Sequence, residues 1–501
     1  MRRLIVLAGM VTTLGIVGQL HAQAYSVRLR TRLQSVDFRG VALDSISLTD
    51  VVVGSAGGLQ TQDGFAVRCL PGRSWCTFFR PGEIRRGGPA VITADMSLWG
   101  LGVPGLRIQT NVRLGFDVGD SGAWPGTDPA VQLLYGYAEY ASRGVTVQLG
   151  RTHVVSRFGF QGFDGAKVNA RALSRRLTVT AFGGWALARG SALPVTSPAL
   201  NPLGDFQPGK RHLVWGAGAT WSSAHVAGRA RYQREIDSRT GDISSERLAL
   251  DGVIRPGGGV SLSGGADYDL AAGFWGSAEG MLSYAGFGGK GLVSAGVRRY
   301  RPHFDLWTIW GAFSPVPYRA AFGVLAVRPL PGMEVRARGE VYEFDESGAA
   351  TPLATVEDDG WRWSVDGTYS RLAHWIFDLG LHRELGPGAG SFGYQAGATF
   401  LPATRWSVSA QASLLERPLE FRFDDAKLWT FGANVHHWPS DRLRLGLSGT
   451  RYDEARRRPD AAQFEWNQLR LHFDATLFLS SAAGPALHPA ILRIPERRVP
   501  R

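Results

Sequence analysis

The sequence predicts an all-β chain folded as a single closed antiparallel transmembrane β-barrel of roughly 22 strands, with short turns at one rim and long loops at the other. Three observations lead there. Apolar and polar residues alternate with a period of two along most of the chain, connections sort by length, and the N-terminus reads as an export signal.

In chain order, residues 1–24 come first, as "MRRLIVLAGMVTTLGIVGQLHAQA". Arg2 and Arg3 form a basic start, Leu4 to Val17 an apolar core, and Ala22 to Ala24 a small-residue cleavage site, as in a cleavable signal peptide. The apolar run is short of the ~20 residues a helical span needs, and no later run is longer. Charged residues make up 20% of the chain, and the mean hydropathy of −0.08 is far too polar for a helical membrane protein. A barrel tolerates that polarity because only alternate residues meet lipid.

The barrel is expected over residues 25–481. Strand one carries Arg28, Arg30 and Arg32 on one parity. Residues 39–88 then form a long loop insert, outside the cell or folded into the lumen, holding the only two cysteines, Cys69 and Cys76. With a Pro-Gly turn between them and an oxidising destination, they are expected to form a disulfide.

The clearest strand is "GLRIQTNVRLGFD", Gly105 to Asp117. Leu106, Ile108, Val112, Leu114 and Phe116 share one face, and Arg107, Gln109, Asn111, Arg113 and Asp117 the other. "MEVRARGEVYEF", "RWSVSAQASLL", "RLRLGLSGT" and "LRLHFDATLFL" repeat the pattern. In "RWSVSAQASLL", Val408 is expected on the lipid face and Ser409 on the lumen face. Short links at Val103, Ser142, Pro256, Gly286, Leu330, Leu372, Pro402 and Pro439 take turns with long ones at 118–129, 188–210, 237–245, 345–360, 419–426 and 456–465. That sorting places both termini on the periplasmic side and the long loops outside. Residues 482–501 are left as a periplasmic tail.

The inward parity is rich in arginine. It takes Arg28, Arg30, Arg32, Arg107, Arg113, Arg229, Arg231, Arg336, Arg338, Arg442, Arg444 and Arg470, against Asp117, Glu334, Glu340 and Asp474. Such a wall attracts anions, or its arginines pair with acids on neighbouring strands and stiffen it. One connection, "FDLWTIWGAFSPVPY", is too apolar for an exposed loop. It is expected to fold inward as a constriction through Phe304, Trp307, Trp310 and Phe313, flanked by Arg299, Arg301 and Arg319, or else to be a further wall strand.

Catalytic motifs are lacking: there is no G-x-S-x-G, H-E-x-x-H or P-loop. "GAGSFG" matches a dinucleotide fingerprint but opens no helix. His436 and His437 are adjacent on a strand and so point to opposite faces. No enzyme activity, cofactor or metal is expected. The formal charge of +12 fits anion attraction, and an exported chain without a basic cluster motif gives no reason to expect nucleic acid.

Over Tyr25 to Ser481 the sequence resembles a Gram-negative outer-membrane β-barrel of porin type. The resemblance implies an outer-membrane channel for passive diffusion of small, anion-biased solutes, with outer-membrane lipid around it. It departs at the C-terminus, where a tail follows the last strand's Phe473 and Phe478. The insert at 39–88 is too short for the plug of a TonB-dependent receptor. The alternative is a barrel that sheaths or anchors a partner, such as a multihaem cytochrome or a periplasmic export component.

Overall fold

The computed structural model describes residues 24–54, 58–119, 131–174, 176–187, 212–238, 240–301, 317–345, 359–386, 389–416, 426–456 and 466–481. The strands in chain order are β1 (Ala24–Ser47), β2 (Val52–Val53), β3 (Leu59–Gln60), β4 (Val67–Cys69), β5 (Trp75–Gly87), β6 (Pro89–Trp99), β7 (Leu106–Asp117), β8 (Val131–Ala141), β9 (Val145–Ser156), β10 (Gly159–Ala172), β11 (Leu177–Ala186), β12 (Leu213–Ser222) and β13 (Val226–Ile236). They continue as β14 (Ile243–Gly257), β15 (Val260–Asp269), β16 (Phe274–Gly286), β17 (Gly291–Tyr300), β18 (Tyr318–Val327), β19 (Met333–Phe344), β20 (Asp359–Tyr369), β21 (Trp375–Gly386), β22 (Ala389–Ala403), β23 (Trp406–Glu416), β24 (Ala426–Ser440), β25 (Leu443–Arg456) and β26 (Trp466–Ser480). The expected signal peptide and the tail at 482–501 lie outside the described residues.

Twenty-two strands close the barrel. Apart from β2–β5, each pairs antiparallel with its chain neighbours, and β1 closes the ring on β26 from Ser26↔Ser480 to Ser35↔Leu471. Closure satisfies every strand edge, which a membrane requires because no water is present to take unpaired backbone groups. Alternation sets the faces. On β26 the outward Leu469, Leu471 and Phe473 are 55%, 47% and 41% exposed, while Gln468 and Thr476 on the other parity are buried.

Among the described residues, loop sorting has two exceptions: at the rim that carries the long connections, the links at 157–158 and 270–273 are short.

The insert after strand one is an arm. β1 runs on past the barrel, and its second half pairs with β5 from Val36↔Gly87 to Ser47↔Trp75, with a bulge between Arg39 and Val41. β5 leads straight into β6, so the arm is an outward extension of the first barrel hairpin. Asp37–Arg86 at 2.9 Å and Asp44–Arg80 at 3.0 Å tie its strands together. Asp117 Oδ1 accepts from the backbone N–H groups of Gly88 and Gly119 at 2.7 and 2.8 Å, pinning the arm's base to the rim. Cys69 and Cys76 face each other in register and are disulfide-bonded, joining β4 to β5. Replacing both cysteines by serine should destabilise only the arm, by on the order of 2 kcal/mol. Limited proteolysis should then cut near 70–75 while the barrel keeps its heat-modifiable mobility on gels. Loss of the folded barrel would show that the disulfide does more than close the arm.

Candidate functional site: the inner wall of the barrel

Three long-range contacts identify the inner face. Arg157, in the turn between β9 and β10, reaches Asp251 on β14 and Glu279 on β16. Arg231 on β13 donates to the Val155 carbonyl on β9. Arg298 on β17 pairs with Glu340 on β19, past β18. The two contacts that reach furthest, across several strands of a closed wall, must pass through its interior.

The register carries that face around the ring. It places Arg28 opposite Asp95 on β6, Arg32 opposite Asp474, Arg107 opposite Glu139, and Arg113 opposite Thr93. Arg229 lies opposite Asp251, Arg231 opposite Ala249, Arg336 opposite Asp366, Arg338 opposite Ser364, Arg444 opposite Thr476, and Arg470 opposite Thr450. Arg30 shares the parity of Arg28 and Arg32 on β1, and Arg442 lies in the turn before β25. The same face carries further acids, Asp95, Glu139, Asp251, Asp267, Glu279, Asp366, Asp378 and Glu384.

Charge on this wall is divided. Strands β25, β26, β1 and β7 carry Arg444, Arg470, Arg28, Arg30, Arg32, Arg107 and Arg113. The sector from β14 to β21 carries most of the acids. Arg28, Arg30, Arg32, Arg107 and Arg113 form no salt bridge among the described residues. Across the ring, arginines are tied up. Glu340, with its side chain fully buried, meets Arg298, Arg338 at 2.9 Å and Arg362 at 2.7 Å. Glu334 lies 3.8 Å from Arg336 and 3.2 Å from Arg328. The exposed pairs at Glu334 contribute about 0–1 kcal/mol each; both clusters hold the guanidiniums against the wall. Tyr342 donates to Glu384 at 3.1 Å and lies under Arg362.

The longest-range of these contacts comes from the β9–β10 hairpin, "VSRFGF". The Arg157 guanidinium donates from Nε to Asp251 at 2.9 Å, from Nη1 to Ser277 at 3.1 Å, and from Nη2 to Glu279 at 2.8 Å. Its side chain is only 13% exposed. Phe158 beside it lies 4.7 Å under the Arg247 guanidinium of β14. The tip therefore leans inward and is latched to the wall four to six strands further round the ring. Gly265 makes room for it: a Cβ there would meet Arg157 Nη2 at 2.3 Å and Asp251 Oδ1 at 2.5 Å. An apolar cluster on the inner face, Val154, Phe163, Phe182, Ala186 and Val214, packs behind the hairpin. Shielded from water, it holds the lean in place.

The expected constriction fares differently. Phe304, Trp307, Trp310 and Phe313 lie outside the described residues. Arg299 and Arg319 are not at the channel entrance. The register Arg298↔Ala320 puts Arg298 inside, so the next residues round, Arg299↔Arg319, point outward. Closeness to the apolar connection does not set their facing; strand parity does. The Arg301 guanidinium sits 3.9 Å over the Phe274 ring. His436 and His437 point to opposite faces, His436 Nε2 toward Asp474 at 3.9 Å and His437 stacked on Trp406 at 4.0 Å.

A closed 22-stranded barrel with an apolar outer face and an ionic inner face is the architecture of a transmembrane β-barrel of the outer-membrane kind. No protein-family model matches the chain, and no curated relative matches it. Among solved structures it is similar to a BenF-like porin from Pseudomonas fluorescens Pf-5, with TM-score 0.42 and 13% identity, covering 91% of this chain and 99% of that one. It is also similar to Pseudomonas aeruginosa OpdK with vanillate (TM-score 0.40, 10% identity, 91% and 98% covered) and to Pseudomonas aeruginosa OccK2 (OpdF) in complex with glucuronate (TM-score 0.38, 11% identity, 91% and 98% covered).

Proposed function

We propose that the chain is a passive outer-membrane channel for small solutes, biased toward anions. The observation that carries this is the wall of β1 and β7, where Arg28, Arg30, Arg32, Arg107 and Arg113 face the lumen without a salt-bridge partner among the described residues. Guanidiniums cannot lose their charge at any physiological pH. Aligned along a water-filled wall, they raise the local concentration of anions and lower that of cations. The opposite wall, with arginines held by Glu340 and Glu334, contributes little free positive charge. The lumen therefore offers an anion a route along one side. No covalent step is needed, since concentration drives the flux.

The purified full-length chain, inserted in planar bilayers under a salt gradient, should conduct with a reversal potential of the sign set by anions. The triple variant Arg30→Glu, Arg32→Glu and Arg107→Glu should invert that sign without preventing insertion. A folded barrel that does not conduct would overturn the channel reading in favour of a sheath around a partner. A conducting barrel whose selectivity ignores the triple variant would overturn the anion route alone.

A further inference from the structure

We propose that the periplasmic rim of the barrel is a binding ring for anionic glycerophospholipids of the leaflet that faces the periplasm. Cations in the hairpin turns hold the phosphates, and apolar residues of the same turns enter the boundary between headgroups and acyl chains. This rests on the outer-membrane placement of the barrel and is independent of conduction.

The short turns at this rim share a composition that conduction does not use. Arg143, Arg176, Lys290, Arg371 and Arg442 lie in five of them, and Arg255 stands at the end of β14 before a sixth. All six are exposed, and none forms a salt bridge among the described residues. Arg328 and Arg405 add two more, the first 3.2 Å from Glu334 and the second donating to the Pro439 carbonyl at 2.9 Å. Among the described residues of these turns the one acid is Asp441. Residues 482–501 follow β26 with four arginines and one glutamate, so the chain's own tail does not supply the missing negative charge. At the opposite rim the outward charges balance: Arg299, Arg319 and Arg383 meet Glu343, Asp345 and Asp359.

Aromatic side chains place these cations in depth. Tyr140, Tyr284, Trp375 and Trp406 face away from the lumen at the periplasmic ends of β8, β16, β21 and β23, each 39–46% exposed. Outward aromatics at strand ends mark the membrane–water interface. Arg143, Lys290, Arg371 and Arg405 lie in the turns next to them, on the periplasmic side, where lipid phosphates begin. The turns are also apolar. Leu173, Phe287, Leu330 and Leu372 are 62%, 65%, 57% and 51% exposed, each in the same turn as a cation. Phe287 lies edge-on to the outward Tyr284 with ring centroids 6.4 Å apart, so it stands on the outer side of the wall. In water such side chains are a cost in every turn; at the boundary of headgroup and acyl chain the apolar tip and the cation are both satisfied. The pairing recurs at every second strand, roughly every 10 Å of rim. An acidic protein docked from the periplasm would cover one sector and leave the other tips in water, whereas the lipid annulus meets the whole circumference.

The test uses the full-length chain in detergent and native mass spectrometry. The probes are phosphatidylglycerol and phosphatidylethanolamine with the same acyl chains, and poly-glutamate as a water-soluble polyanion. Wild type should retain phosphatidylglycerol about fivefold more than phosphatidylethanolamine, the ratio expected of one cation beside one anionic headgroup. Changing the six unpaired cations to glutamine together should abolish that preference. The smaller variant Lys290→Gln, Arg371→Gln should lower it, and serves if the larger one does not fold. Phe287→Ser with Leu372→Ser should weaken retention of both lipids alike. Equal retention of the two lipids by wild type, or an undiminished preference in the charge variants, would overturn the proposal. So would poly-glutamate that binds wild type as tightly as phosphatidylglycerol and ignores Phe287→Ser, Leu372→Ser, because the ring would then serve an acidic periplasmic partner. The lumen variant Arg30→Glu, Arg32→Glu, Arg107→Glu should keep the lipid preference of wild type, which separates this outcome from that of the channel; loss of the preference there would put the anion in the lumen and overturn the ring.

Discussion

Replacing Arg157 by alanine is expected to raise single-channel conductance and to shift selectivity toward cations. The side chain is the latch between the β9–β10 tip and the wall formed by β14 and β16. It also neutralises Asp251 and Glu279, which face it at 2.8 Å. Removing it frees the tip and exposes two carboxylates to the permeation path. A unit charge ~5 Å from a permeating ion in water is worth about 0.8 kcal/mol, so local cation occupancy should rise about fourfold. The barrel should still fold, because Asp251 and Glu279 are already 36% and 49% exposed and can be hydrated when the guanidinium goes. The pair Asp251→Asn, Glu279→Gln tests the same contact from the other side. It should also raise conductance, but shift selectivity toward anions. If all three substitutions leave conductance and reversal potential unchanged, the hairpin does not border the path.

The second large effect concerns the lipid face. Leu447→Arg should lower barrel stability by about 2–4 kcal/mol, the penalty for arginine at mid-depth in the hydrocarbon. Leu447 is 60% exposed near the middle of β25 and lies beside the outward Phe473. Ser448→Arg, one residue on, faces the lumen opposite Asn434 and His472 and should be tolerated. Urea titration of the barrels refolded into phospholipid vesicles reads both values. Equal losses for the two would contradict the face assignment. The pair first suggested by the alternation, Val408 and Ser409, should show a smaller contrast. Val408 is two residues from the periplasmic end of β23, where the penalty falls to about 0–1 kcal/mol.

Much of the barrel is legible in the residues alone. A strand's facing is a local property with a period of two, so Arg107 and Ile108 reveal their opposite environments without knowledge of their neighbours. Loop lengths are equally local, and with the alternation they determine closure, strand number and the sidedness of the wall. The disulfide was legible for the same reason, with eight residues and a turn spanning Cys69 to Cys76. Legibility failed where local signals were weak or absent. The hairpins at 157–158 and 270–273 carry no long polar segment to announce them. Arg299 and Arg319 face outward by parity, which their closeness to an apolar segment does not reveal.

Which charge meets which across the lumen was settled only by the tertiary structure. Arg157 and Glu279 are 122 residues apart, and nothing in the local pattern of either names the other. Their meeting depends on the register of every strand between them and on the lean of one hairpin supported by Phe163 and Val214. Gly264, Gly280 and Val297 lie on three strands, and only the accumulated register sets them in one row beneath Arg299 and Arg319. Alternation along a strand tells each residue in or out; position around and across a closed sheet is a sum over all its pairings, and no local stretch of sequence contains that sum.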